Sequence, residues 1–142
     1  MGLRTSRRSR LGYYLLFVLL VASACGTSTT PTDIGAGDML LYVSNQSFED
    51  PPVNITITID GAVVVDDRFS VGNQHNWVPH QLTLAQGEHR LRAESGTGVL
   101  FETTFTTPPD EALWAVLESW WYPEEEPRQF TFSTHDEPVQ FY

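Results

Sequence analysis

A regular alternation of polar and β-branched apolar residues runs over residues 54–59 and ends at the pair Asp60-Gly61. A repeat of two residues is the period of a strand with one buried face. The apolar pattern resumes over residues 62–65, and an Asp-Gly pair between two such runs is the strongest short-range signal of a hairpin. This segment therefore predicts two antiparallel strands joined by a two-residue turn.

Short runs of the same kind follow along the chain, separated by Gly, Pro and Asp. They predict further strands near residues 40–43, 82–84, 89–93, 99–105, 129–133 and 139–141. This pattern indicates an all-β fold, an antiparallel β-sandwich that is immunoglobulin-like in general architecture. The spacing of Leu82, Leu84, Gly87, His89, Leu91 and Ala93 loosely resembles a strand-turn-strand pattern of immunoglobulin-like and related exported sandwich domains.

The segment from Ala112 to Tyr122 could be a helix, but its ending in Trp, Trp and Tyr is typical of strands, and predicted strands surround it. As one strand, it has two faces. Leu113, Ala115, Leu117, Ser119 and Trp121 share the first face, and Trp114, Val116, Glu118, Trp120 and Tyr122 share the second. One of these faces must meet the core.

The second face of this strand is a row of large rings with one acid among them. Such rings suit stacking on sugars or anchoring a protein partner. The candidate ligand-binding residues are Trp114, Trp120 and Tyr122, with Trp77 added from a predicted loop. The alternative is that a tail containing Phe130, Phe132 and Phe141 covers this face, because a small domain needs those rings to bury enough apolar surface.

The first residues form a basic segment, then an apolar run over residues 11–22, then small residues before Cys25. The basic residues are Arg4, Arg7, Arg8 and Arg10. The apolar run is shorter than the about 20 helical residues that span a bilayer, and it fits a secretory signal. Together with Cys25 the segment resembles the lipobox of bacterial lipoproteins, which implies a lipid on the Cys25 sulfur. Ordinary signal cleavage after Ala24 is the alternative.

These features divide the chain into three parts: a signal peptide over 1–24, a lipidated cysteine with a flexible tether over 25–37, and a β-sandwich domain over 38–142. The lipobox resemblance implies export and attachment to the cell envelope. Gly26 is not the Asp that is associated with retention in the inner membrane. We therefore expect the outer membrane in a host with two membranes, and the outer face of the plasma membrane otherwise.

The acidic residues all follow Cys25, and only four arginines accompany them, so the mature part carries a formal charge of −14. This charge repels phosphate backbones and argues against nucleic acid as a partner. Solubility is the simplest reason for the acidity. Weak calcium binding is the alternative, through carboxylates such as Glu49, Asp50, Asp66 and Asp67, although the sequence has no calcium-loop signature.

The sequence holds no recognisable catalytic motif and no second cysteine, so it predicts no enzyme, cofactor or metal. His75 and His80 are expected to be solvent-accessible loop residues rather than metal ligands. Two functions remain. The first is a cell-envelope lipoprotein whose non-catalytic sandwich is a protein-interaction or structural module. The second is a carbohydrate-binding module that uses the aromatic strand face. The expected partners are the membrane, through the lipid anchor, and an envelope protein or glycan.

Overall fold

The computed structural model of the chain describes residues 35, 37–49, 52–71 and 76–141. These ranges contain eight strands and no helix, which confirms the all-β prediction. The strands are β1 (Asp38–Asn45), β2 (Val53–Ile59), β3 (Ala62–Phe69), β4 (Val78–Thr83), β5 (Gly87–Ser95), β6 (Leu100–Thr107), β7 (Leu113–Tyr122) and β8 (Glu126–His135).

The strands form two four-stranded sheets of a β-sandwich. Sheet A has the order β4-β1-β7-β8, and sheet B has the order β3-β2-β5-β6. Within the described ranges the pairing of β1 with β7 is parallel, and the other pairings are antiparallel. The sandwich prediction is confirmed, but the parallel pair was not predicted. Side-chain alternation specifies which face a residue takes and not the direction of the neighbouring strand.

The core lies between the two sheets, where the apolar faces of the strands meet. Ile55 and Ile57 of β2 pack in one cluster with Leu41 of β1 and Leu117 of β7, and all four are fully buried. Each such side chain contributes about 1.5–3 kcal/mol by leaving water. Strand β7 turns Leu113, Ala115 and Leu117 to this core, as its alternation predicted.

The Asp60-Gly61 pair forms the predicted two-residue turn between β2 and β3. Both residues have positive φ, 52° and 82°, as a type I′ turn requires. The Asp60 carboxylate also reaches across to β5, where it accepts a hydrogen bond from the Arg90 backbone N–H at 2.9 Å. The hairpin prediction is confirmed, and the turn residue also links two neighbouring hairpins of sheet B.

Two sequence predictions are wrong. His80 lies within β4 rather than in a loop, because the strand begins at Val78 and pairs with β1. Residues 139–141 are not a strand, and the last strand of the described residues ends at His135. Pro138 has no N–H to donate to a sheet. The side chains that follow it pack on the outer face of sheet A instead.

Candidate binding surface

The outer face of sheet A has two ends that differ in what covers them. The chain enters β1 at Asp38, and parallel β7 begins beside it, with Met39 paired to Leu113. The pairing ends with Asn45 and Ser119, and β7 continues beyond it to Tyr122. We call the end near Asp38 proximal and the end near Tyr122 distal.

The proximal half of this face is covered by the C-terminal tail. Leu40, Tyr42, Trp114 and Val116 form an apolar cluster here, and Val139 and Phe141 of the tail pack against it. Trp114 is only 8% exposed, and its Nε1 atom is buried without a hydrogen-bond partner. The expectation that Trp114 offers its ring to a ligand therefore does not hold in this structure.

Phe141 is held between two other rings. It stacks on Trp77 with centroids 4.1 Å apart and meets the ring of Tyr42 edge-on at 5.0 Å. Phe130 and Phe132, which the tail hypothesis grouped with Phe141, instead belong to the core between the sheets. Only the last part of that segment covers the outer face, since β8 places its phenylalanines on the inner side.

The distal half of the face keeps its rings partly in water. Tyr122 is 42% exposed, and Trp120 is partly exposed beside it. The two rings stack on each other with centroids 5.8 Å apart and an angle of 30° between their planes. One face of each ring is therefore turned to the other ring, and the outer faces and edges remain for a partner.

Glu118 connects the covered and exposed halves. Its Oε1 accepts a hydrogen bond from the Trp77 indole at 2.9 Å, and its Oε2 accepts one from the Trp120 indole at 3.3 Å. The hydroxyl of Thr131 on β8 donates to the same Oε2 at 3.4 Å. This carboxylate thus holds two tryptophans, one just before β4 and one on β7 itself.

A further ring lies on the connection after β1 at the distal end. Phe48 is 59% exposed, and it follows Ser47, whose hydroxyl donates to the Trp121 carbonyl oxygen at 3.1 Å. Ser47 is itself fully buried, so the loop that carries Phe48 is attached to the end of β7. We call Phe48, Trp120 and Tyr122 together the distal aromatic surface.

Trp121 lies on the opposite side of β7 from Trp120 and binds a cation within the chain. The guanidinium carbon of Arg128 is 3.6 Å from the centroid of the Trp121 ring. This distance is well within the roughly 6 Å of a cation–π interaction. The β7–β8 hairpin therefore already holds one arginine against an aromatic ring.

The described histidines do not form a metal site. His80 packs against Phe69 with ring centroids 6.2 Å apart, and burial lowers its pKa despite the opposing charge of Asp67. Its predicted exposure in a loop is wrong, and His75 lies outside the described residues. Among the residues that the structure describes, no group of three or more His, Cys, Asp or Glu side chains could hold a metal ion.

His89 forms a buried polar network at the proximal end of sheet B. Its Nδ1 lies 2.6 Å from Asp60 Oδ2, and its Nε2 lies 2.7 Å from the Ala85 carbonyl oxygen. Burial disfavours the imidazolium, but the hydrogen bonds to Asp60 and Ala85 and the charge of Asp60 outweigh it and raise the His89 pKa. Both nitrogens therefore face acceptor oxygens, to which the protonated ring can donate.

The carboxylates considered for calcium do not converge. Asp66 accepts a hydrogen bond from the Thr56 hydroxyl at 3.0 Å, and Asp67 accepts one from the Arg68 backbone N–H at 2.7 Å. Asp50 lies outside the described residues, as do Cys25 and the predicted signal peptide. Within the described part of the chain, no helix has the length and apolar character needed to cross a bilayer.

No model of a known protein family matches the sequence, and no curated protein sequence is significantly similar to it.

Sequence reasoning missed several residues of this surface. Glu118 was noted only as an acid among rings, and nothing in its local pattern indicated that Trp77 would reach it from 41 residues away. Phe48 was not singled out, and the structure leaves it 59% exposed on the connection after β1. Arg128 was missed because its partner is identified only by the pairing of β7 with β8.

Proposed function

We propose that the protein is an exported lipoprotein, anchored through Cys25, whose sandwich is a non-catalytic module that binds another envelope protein through the distal aromatic surface. Its location is the outer membrane in a host with two membranes, and the outer face of the plasma membrane in a host with one. The lipid provides the membrane contact, and the domain provides the protein contact.

The observation that carries the proposal is the parallel pairing of β1 with β7. The predicted tether leads into β1 at Asp38, so the end of β7 lies at the far end of sheet A. Strands of this length extend about 25 Å at 3.3 Å per residue. A domain tethered at Cys25 can thus present Trp120 and Tyr122 away from the membrane surface.

The residue types of this surface also support a protein partner. Trp and Tyr are enriched among the residues that dominate the binding energy of protein interfaces. Phe48 adds a third exposed ring at the same end of the sandwich. His89, the most buried histidine described, has both ring nitrogens in contact with acceptor oxygens, so both are already engaged within the chain. These features favour recognition over catalysis.

A carbohydrate-binding module is the second candidate, since Trp120 and Tyr122 share one strand face with the carboxylate of Glu118. Two features favour it less. The rings turn one face towards each other, and the Glu118 oxygens already accept hydrogen bonds from two indoles. Titration of tryptophan fluorescence with neutral oligosaccharides tests this function. Saturable quenching that Trp120→Ala abolishes would replace the protein-binding proposal.

The lipid anchor is tested by Cys25→Ser. We expect the wild-type chain in the membrane fraction with acyl mass on the Cys25 peptide, and the variant in the soluble fraction, because two or more acyl chains give stable attachment. Unchanged membrane fractionation of the variant, with no acyl mass on the wild type, would contradict the anchor.

The protein contact is tested by a photoreactive amino acid at position 122 in living cells. Val63 is the matched control, because it is 62% exposed, apolar and located on sheet B beside the proximal turn. We expect one specific protein adduct from position 122 and none from position 63. The same adducts from both positions, or none from either, would contradict a distal protein contact.

A further inference from the structure

The distal aromatic surface lies in an acidic part of sheet A. The turn between β7 and β8 contains Glu124 and Glu125, and β8 begins with Glu126; all three are exposed. The partly exposed Glu118 lies two residues before Trp120 on the same strand face. Arg128 is the only arginine of this hairpin, which has no lysine, and its guanidinium lies over the Trp121 ring.

Sheet B has a different arrangement of charge. Arg90 and Arg92 both lie beside Glu102, at 2.7 and 3.5 Å, and Arg92 also pairs with Glu94. These pairs are exposed, and they neutralise one another locally on the outer face of the sheet. The acidic excess of the hairpin on sheet A has no such partner among the arginines of sheet B.

Aromatic rings and carboxylates attract the same kind of group. The face of a Trp or Tyr ring is negative and binds guanidinium or ammonium groups, with a gain of about 0.5–1 kcal/mol at exposed sites. Nearby carboxylates also attract these cationic groups, and they increase the rate at which the two proteins associate. A mature chain with a formal charge of −14 repels anionic glycans and lipid headgroups.

We infer that the distal aromatic surface binds a basic segment of its partner protein, whose Arg or Lys side chains lie on Trp120 and Tyr122 while Glu124 and Glu125 neutralise their charge. The Arg128–Trp121 pair is an internal example of this contact in the same hairpin. The inference rests on the proposed function, because it names the chemistry of the partner at the same surface.

The test measures binding of defined probes to the full lipoprotein in a neutral detergent. The first probe is a peptide of alternating arginine and serine, the second is the matched glutamate–serine peptide, and the third is a neutral β-glucan oligosaccharide. We expect binding of the arginine peptide only, weakened by added salt. The double variant Glu124→Gln/Glu125→Gln should weaken binding of the arginine peptide about fivefold at low ionic strength.

A matched double variant separates this surface from the overall charge of the protein. Glu88→Gln with Glu111→Gln removes two exposed charges at the proximal end, and we expect it to change the affinity less than about twofold. Tyr122→Leu should weaken binding about threefold, whereas Tyr122→Phe should retain it, because the ring face is the binding group.

Three results would overturn the inference: equal losses in the two double variants, equal binding of the glutamate peptide, or binding of the neutral oligosaccharide alone. Either of the first two results would mean that this surface does not select its partner by charge. The third would indicate a glycan site. If a specific protein adduct still forms at position 122 in cells, the proposed function stands and only the basic nature of the partner is wrong.

Discussion

Strand β7 passes from a covered region to an exposed one with the same kinds of side chain. At its beginning, Trp114 is 8% exposed beneath the tail that carries Phe141. At its end, Trp120 and Tyr122 stack on each other, and Tyr122 is 42% exposed. All three residues point to the same side of sheet A. The strand therefore has one outer face with two roles.

The difference shows that residue type alone does not distinguish a packing ring from a binding ring. Both halves contain tryptophan, and both are flanked by apolar or aromatic neighbours. The proximal half is buried because Phe141 returns from the end of the chain and inserts between Trp77 and Tyr42. The distal half has no such cover among the described residues.

The largest expected effect is on stability at Trp114. Trp114→Ala should lower the free energy of unfolding by about 3–5 kcal/mol, since it leaves a cavity beneath the tail. Tyr122→Ala should lower it by only about 1 kcal/mol, because Tyr122 is already 42% exposed in the folded chain. Urea denaturation measures both values. Equal losses from the two variants would remove the distinction between the covered and exposed halves.

The next effect concerns the tail. Phe141→Ala should lower the free energy of unfolding by about 2 kcal/mol. It should also shift tryptophan emission to longer wavelength, because Trp77 and the apolar cluster become more exposed to water. Phe48→Ala is the control, and we expect a change within about 0.5 kcal/mol for this exposed ring. An unchanged emission spectrum in Phe141→Ala would mean that the tail does not cover the sheet in solution.

A smaller effect is expected at the residue that joins the two halves. Glu118→Gln replaces one of two accepting oxygens by an amide donor, so one of the two tryptophan N–H groups loses its acceptor. The free energy of unfolding should fall by about 1 kcal/mol, and the near-ultraviolet circular dichroism signal of the tryptophans should weaken. Glu125→Gln should leave both unchanged. A variant of Glu118 with native stability and spectrum would contradict its role as the link.

The smallest effect is a pH dependence at the proximal end of sheet B. The raised pKa of His89 means that its contribution to stability is complete below its ordinary value of 6.5 and is lost as pH rises through the folded value. Hydrogen bonds from Arg90 and His89 lower the pKa of Asp60, so its contribution is present above 3.8 and is lost as pH falls through its lower folded value. Stability should therefore decline on raising the pH above 6.5.

Urea midpoints measured from pH 5 to pH 9 check this dependence. His89→Asn removes the paired imidazolium and should remove the decline, whereas His135→Gln changes an exposed histidine at the end of β8 and should keep it. If both variants retain the wild-type profile, the Asp60–His89 pair is not its cause.

Much of the local structure was predictable from residue pattern. The alternation in β7 assigned Leu113, Ala115 and Leu117 to one face and Trp114, Trp120 and Tyr122 to the other, and the structure agrees. The alternation could not say whether Trp114 would be covered. Residues 139–141 resemble a strand by composition, yet they pack through Val139 and Phe141 without pairing. Their position depends on the apolar cluster on the outer face of sheet A, whose residues come from other segments of the chain.

The amino-acid sequence by itself determined the period-two faces of the strands and the Asp60-Gly61 turn, because both depend on the backbone preferences and polarity of neighbouring residues. The tertiary structure decided the parallel direction of β1 and β7, the cover over Trp114 and the two indoles on Glu118. These features join segments that are distant in sequence. They are selected by the packing of whole sheets, which local alternation does not encode.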